Sequence, residues 1–153
     1  MKRFSFPLEG YLKLKRLKEK EKLTELSELT FLRQKHQRER EHSIQEIERL
    51  LQEEREESQL GQFTLEKALL RRYYFTSLRK KARLHETKIA DLEAPIKEKE
   101  EAWKKARQER RSLENLKEHR YQAYLYELSR QESKDLDEFN LRNARGGRLH
   151  GQS

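Results

Sequence analysis

The chain has 153 residues, of which 42% are charged and 33% hydrophobic, and it carries a net charge of +8. That composition excludes a thick globular core. The lack of cysteine excludes disulfides, thiolate nucleophiles and Cys-based zinc sites, and no apolar run approaches the roughly 20 residues a membrane span needs. Disorder is the first alternative at this charge density. Two patterns oppose it: the charges alternate in sign, and the apolar residues are periodic. With only two prolines and five glycines, the chain reads as long helix or coiled coil. The basic N-terminus has no apolar stretch behind it, so a secretory signal is not expected and a soluble, cytoplasmic protein is.

Ser5 can cap a first helix, and Pro7 suits a first turn, where the amide it lacks would have no partner. This helix is expected over about residues 5–57. Leu8, Tyr11, Leu12, Leu14 and Leu17 begin an apolar face. Leu23, Leu26, Leu29 and Leu32 continue it, and Ile44, Ile47, Leu50 and Leu51 finish it. From Arg33 to Ser43 there is no apolar side chain, which predicts a poorly packed, mobile or partner-binding middle. Residues 58–62 around Gly61 form the turn.

A second helix is expected over about residues 64–143, with Thr64 as N-cap and Glu66 in the first turn. From Phe75 to Leu113, alternating steps of three and four visit Phe75, Leu78, Ala82, His85, Ile89, Leu92, Ile96, Lys99, Trp103, Ala106, Arg110 and Leu113. Nine of these are apolar, among largely charged neighbours, so this is a heptad seam that only another helix can bury. Pro95 interrupts it, yet Ile89, Leu92, Ile96 and Trp103 hold one register, which favours a kink over a break. Beyond Leu113 the register slips and resumes at Tyr124 or Leu125, Leu128, Leu136 and Phe139. Gly146-Gly147 is expected to end the helix, leaving residues 144–153 as a flexible tail. The fold class is all-α: one coiled-coil domain over 1–153, two long helices in an antiparallel hairpin.

The positive excess is uneven. Residues 1–20 carry seven Lys or Arg against two Glu, and residues 141–153 carry three Arg and no acid, so the two ends hold all of it. No catalytic constellation, phosphate-binding loop or nucleophile elbow is present, so neither an enzyme nor a cofactor is expected. The five histidines include no i, i+4 pair, and His36 and His42 do not share a helical face, so no metal site is expected. Tyr73, Tyr74 and Phe75 point in three directions on a helix, so at least one is exposed unless a third body covers it. Tyr121, Tyr124 and Tyr126 pose the same question. A self-pairing coiled-coil scaffold and a nucleic-acid binder driven by the basic ends are the other readings of these residues. Against the latter, the aromatics are not interleaved with the basic residues, and no recognition motif occurs.

Phe4-x-Phe6-x-Leu8 followed by Leu12-x-Leu14 and a Lys/Glu run resembles the start of the flagellar FliJ family. Leu136-Asp137-Glu138-Phe139 leading into a basic end, Trp103-x3-Arg107, and the aromatic stretch Tyr73 to Leu78 resemble it too. The stalk proteins of virulence type III secretion are similar in kind. The resemblance implies a rotor-shaft-like, non-enzymatic stalk of the flagellar type III export apparatus. Such a stalk enters the ring of a hexameric export ATPase, promotes its assembly, contacts the membrane export gate and recycles export chaperones. It lies at the cytoplasmic face of the basal body, reaching the membrane only through partners. On this reading Lys2, Arg3, Lys13, Lys15, Arg16, Arg142, Arg145 and Arg148 face the ATPase ring. Tyr74, Leu78 and His85 match the spacing of the gate-binding patch.

Overall fold

The computed structural model describes residues 2–150 of the backbone and the side chains of residues 2–147. It contains two helices, α1 (Glu9–Gln59) and α2 (Leu65–His150), and no strand among the described residues. The helices pack against each other, so the all-α helical hairpin expected from the heptad pattern is the fold.

Local chemistry explains the ends of the helices. At the C-terminus of α1 the Gln62 amide donates to the Glu57 carbonyl (2.9 Å) and the Gly61 amide to the Ser58 carbonyl (3.4 Å). Gly61 has φ of 69°, so this is a Schellman closure with glycine in the left-handed position. Thr64 caps α2: its hydroxyl oxygen accepts from the Lys67 amide at 3.4 Å. At the other end of α1, Ser5 does not cap. The first helical turn accepts at the Phe6 carbonyl, from the Glu9 amide at 3.0 Å, with Pro7 inside that turn. The helix therefore starts at Glu9 rather than near residue 5.

Helix α2 passes through Pro95 unbroken, with Ile96 buried immediately beyond it. It also continues through Gly146 and Gly147 to His150, in place of the expected end near residue 143. Neither glycine takes a positive φ, so the left-handed stop is not made. Residues 151–153 of the expected tail lie outside the described residues.

Two compact units are present: residues 19–106 form one, and residues 1–18 with 107–153 form the other. In the first, Leu50, Phe75 and Leu78 make a buried cluster with Ile47 against it. Farther from the turn come the ion pairs Arg40–Glu86 (2.9 Å), Arg33–Glu93 (3.8 Å) and Lys99–Glu25 (2.9 Å). Positions fall on α1 as they rise on α2, which is antiparallel pairing. Ala82, Ile96 and Ala106 are buried and His85, Ile89, Leu92, Lys99 and Trp103 half-buried, so the seam expected on α2 is the face that packs. In the second unit Leu12 is fully buried. Around it are Lys15–Glu109 (2.9 Å), Arg16–Glu114 (3.3 Å) and Glu9–Lys117 (2.8 Å), with Arg110 and Leu113 half-buried.

The apolar face expected on α1 is only partly the packing face. Leu14, Leu17, Leu23, Leu32 and Leu51 are exposed, whereas Arg33, His36 and Arg40 are half-buried and Ser43 is buried. A two-helix seam is one narrow stripe, and leucines off that stripe stay in water. Long polar side chains on it lay their stems against the partner and carry their charged ends out to facing acids. The polar stretch from Arg33 to Ser43 thus has one packed stripe, Arg33, His36, Arg40 and Ser43, while its other seven residues are exposed. Arg33 and Arg40 reach Glu93 and Glu86, and the Ser43 hydroxyl donates to the Glu39 carbonyl at 3.1 Å.

Candidate functional site

In the unit holding both chain ends, the non-helical lead of residues 2–6 alternates aromatic and polar residues, so Phe4 and Phe6 can fall on one side of it. Phe6 is buried, with the Arg120 guanidinium 5.7 Å from its ring centre. Phe4 packs edge-on against Tyr121 (5.1 Å) and tilted against Tyr124 (5.6 Å), and the Tyr124 hydroxyl donates to the Lys2 carbonyl at 2.9 Å. Two of the three tyrosines in question are thereby explained. Tyr126, 68% exposed, is not covered. The lead is strapped to α2 at residues 120–124, which places the exposed Lys2 and Arg3 there.

From Leu125 onward nearly every described residue is exposed. Leu136, Phe139 and Leu141 are each about 60% exposed, so of the register expected to resume at Tyr124 or Leu125, Leu128, Leu136 and Phe139, only Tyr124 and Leu128 are half-buried. About 26 residues of helix, roughly 40 Å at 1.5 Å per residue, form an arm carrying exposed apolar side chains and the exposed Arg142 and Arg145. The side chain of Arg148 lies outside the described residues.

The terminal cations are not equivalent. Lys15 is bound to Glu109 and lies 5.1 Å from the Tyr11 ring centre. Its pKa is raised, chiefly by the hydrogen bond to Glu109 and next by that to Tyr11. Arg16 is paired with Glu114. Lys2, Arg3, Lys13, Arg142 and Arg145 stand out into solvent.

In the unit of residues 19–106, the three consecutive aromatics divide as helix geometry requires. Phe75 is buried, and Tyr73 and Tyr74 are 77% and 49% exposed. Leu65, Leu69 and Leu70 are exposed on the preceding turns. Of the three residues matched to a gate-binding patch, Tyr74 alone is open. Leu78 belongs to the buried cluster, because its heptad position faces α1. His85 is turned inward: its Nδ1 is 3.0 Å from Nδ1 of His36 and its Nε2 is 3.1 Å from Glu39 Oε2. Partial burial, then the nearby Lys88 and the facing His85, hold the His36 pKa below the ordinary imidazole value.

His36, Glu39 and His85 are also the group of possible metal ligands among the described residues, each offering one donor atom within 4.8 Å of the others. The histidine spacing hid this. Spacing along one helix cannot show it, because His36 and His85 meet across two. The signal in the sequence is that both occupy seam positions at matching distances from the turn. No helix among the described residues is long and apolar enough to cross a membrane.

Residues 4–149 match the family described as flagellar FliJ protein. No curated protein and no solved structure matches the chain.

Proposed function

The chain belongs to the flagellar FliJ protein family, and on that premise we propose that its α2 arm and basic ends enter the ring of a hexameric export ATPase and promote its assembly and activity. The family is a structural component of flagellar biogenesis and protein export, and a coiled-coil stalk is its general character. The observation that carries the finer reading is the arm from Leu125 to His150. A lone helix of this length is marginal in water, and one that exposes Leu136, Phe139 and Leu141 is suited to burial against another protein. Arg142, Arg145, Lys2 and Arg3 belong to the same unit as the arm and suit an acid-lined pore. The work of the chain is contact rather than catalysis.

The membrane export gate would dock beside Tyr74, with Leu78 and His85 holding that stretch of α2 against α1 rather than touching the gate. Export chaperones would be handed on from the same stalk, at the cytoplasmic face of the basal body. The test is the ATP hydrolysis rate of the export ATPase from the same organism, titrated with this protein. A saturable rise accompanied by hexamers supports the reading. Replacing Arg142, Arg145 and Arg148 together by Glu should abolish the rise; stimulation at the wild-type level by that variant would refute entry into an acidic pore.

A further inference from the structure

His36 and His85 meet nitrogen to nitrogen in the seam, so one Nδ1 must carry a proton and the other a lone pair. His36 Nδ1 and His85 Nδ1 stand 3.0 Å apart, with ring centres 5.3 Å apart and planes inclined by 36°. On the far side of the His85 ring, Nε2 is 3.1 Å from the Glu39 carboxylate. With that carboxylate accepting a hydrogen bond from Nε2–H, the neutral His85 ring turns its Nδ1 lone pair to His36. Glu39 lies one turn from His36 on the same face of α1.

Two imidazole nitrogens bound to one tetrahedral zinc ion, each at 2.0–2.1 Å, lie about 3.3 Å apart. The observed separation is shorter by a few tenths of an ångström, which a small rotation of either ring supplies. The carboxylate on the second nitrogen of His85 is the arrangement by which proteins fix the tautomer and aim of a metal-bound histidine. We propose that His36 and His85, aimed by Glu39, bind a late first-row divalent cation that clamps α1 to α2 in the middle of the seam. Imidazole donors select zinc, cobalt, nickel or copper over magnesium and calcium. On binding, His36 changes tautomer, its proton passing through solvent from Nδ1 to Nε2, so that the Nδ1 lone pairs of both neutral rings go to the ion. Water completes the coordination, reaching the ion past His36, which is half-buried rather than enclosed.

The experiment uses the full chain freed of metal by a chelator and titrated separately with zinc chloride, cobalt chloride and magnesium chloride. One equivalent of zinc should bind and raise the unfolding temperature. Cobalt should give the visible absorption of a low-coordinate nitrogen-ligated ion, and magnesium should do neither. His36→Gln and His85→Gln should each remove the thermal shift and weaken zinc binding by more than tenfold. Glu39→Gln should weaken it about tenfold while keeping the stoichiometry. His42→Gln, outside the cluster, should change nothing. Circular dichroism confirms that each variant remains helical, and Glu39→Gln keeps the test decisive if a histidine variant unfolds. Absence of zinc binding, or zinc binding that survives both histidine variants, would overturn the clamp.

Discussion

Residues 33–43 of α1 contain no apolar side chain, yet four of them, Arg33, His36, Arg40 and Ser43, are buried or half-buried. Residues 125–147 of α2 contain Leu125, Leu136, Phe139 and Leu141, and they are almost wholly exposed. Hydrophobicity would have ranked the two stretches the other way. The difference is what faces them. Arg33, His36, Arg40 and Ser43 stand on a stripe met by α2, and each finds a partner there or on its own helix. Beyond the half-buried Leu128 the described arm faces solvent, so Leu136, Phe139 and Leu141 remain wet until another protein arrives.

The contrast can be broken most sharply by truncation. Phe75→Ala removes a ring from the small buried cluster and should cost about 3 kcal/mol, read from denaturant unfolding. Phe139→Ala, on the arm, should change stability by no more than about 0.5 kcal/mol while weakening stimulation of the export ATPase. If the two truncations cost the same, the arm is packed in solution and the comparison fails.

A smaller effect tests the arm as a helix. An added Cβ at Gly146 or Gly147 meets nothing within 4 Å, and neither residue has a positive φ. Alanine at each should favour the helix by about 1 kcal/mol locally, seen as a rise in helical circular dichroism without a shift of the main unfolding transition. Lower helicity would mean that the glycines end the helix after all.

The smallest effect is electrostatic. Glu57 is held below the ordinary carboxylate pKa, first by the hydrogen bond from Arg71, and Glu25 likewise by Lys99. A carboxyl depressed in the folded state stabilises fully above its unfolded value and loses that contribution as the pH falls through the folded one. The unfolding temperature should therefore hold near neutrality and decline below about pH 4.5, the ordinary carboxylate value. Glu57→Gln should flatten that decline slightly. High salt should weaken the half-exposed Arg40–Glu86 pair but leave the Leu50–Phe75–Leu78 cluster unchanged.

Much of this was legible in the residues. The seam from Phe75 to Leu113 is the face that α2 buries, because a run of apolar residues at heptad spacing has only one way to leave water. Gly61 and Thr64 mark the turn because one supplies the left-handed backbone and the other a capping oxygen. The family likeness rested on short motifs near both ends and within α2, and the family match covers residues 4–149.

The register of α1 was not legible. Its leucines outnumber the positions on one stripe, so periodicity could not say which of them face α2. That choice belongs to the facing helix, whose Glu86 and Glu93 give Arg40 and Arg33 a reason to lie on the seam. The meeting of His36 with His85, 49 residues apart, is equally a product of pairing. The spacing of residues along the chain thus dictated helices, turn and the α2 seam, since these depend on neighbours within a few residues. Which polar groups are covered and which apolar groups stay exposed was settled by the fold, since burial requires a second surface and only the paired helices determine where one stands.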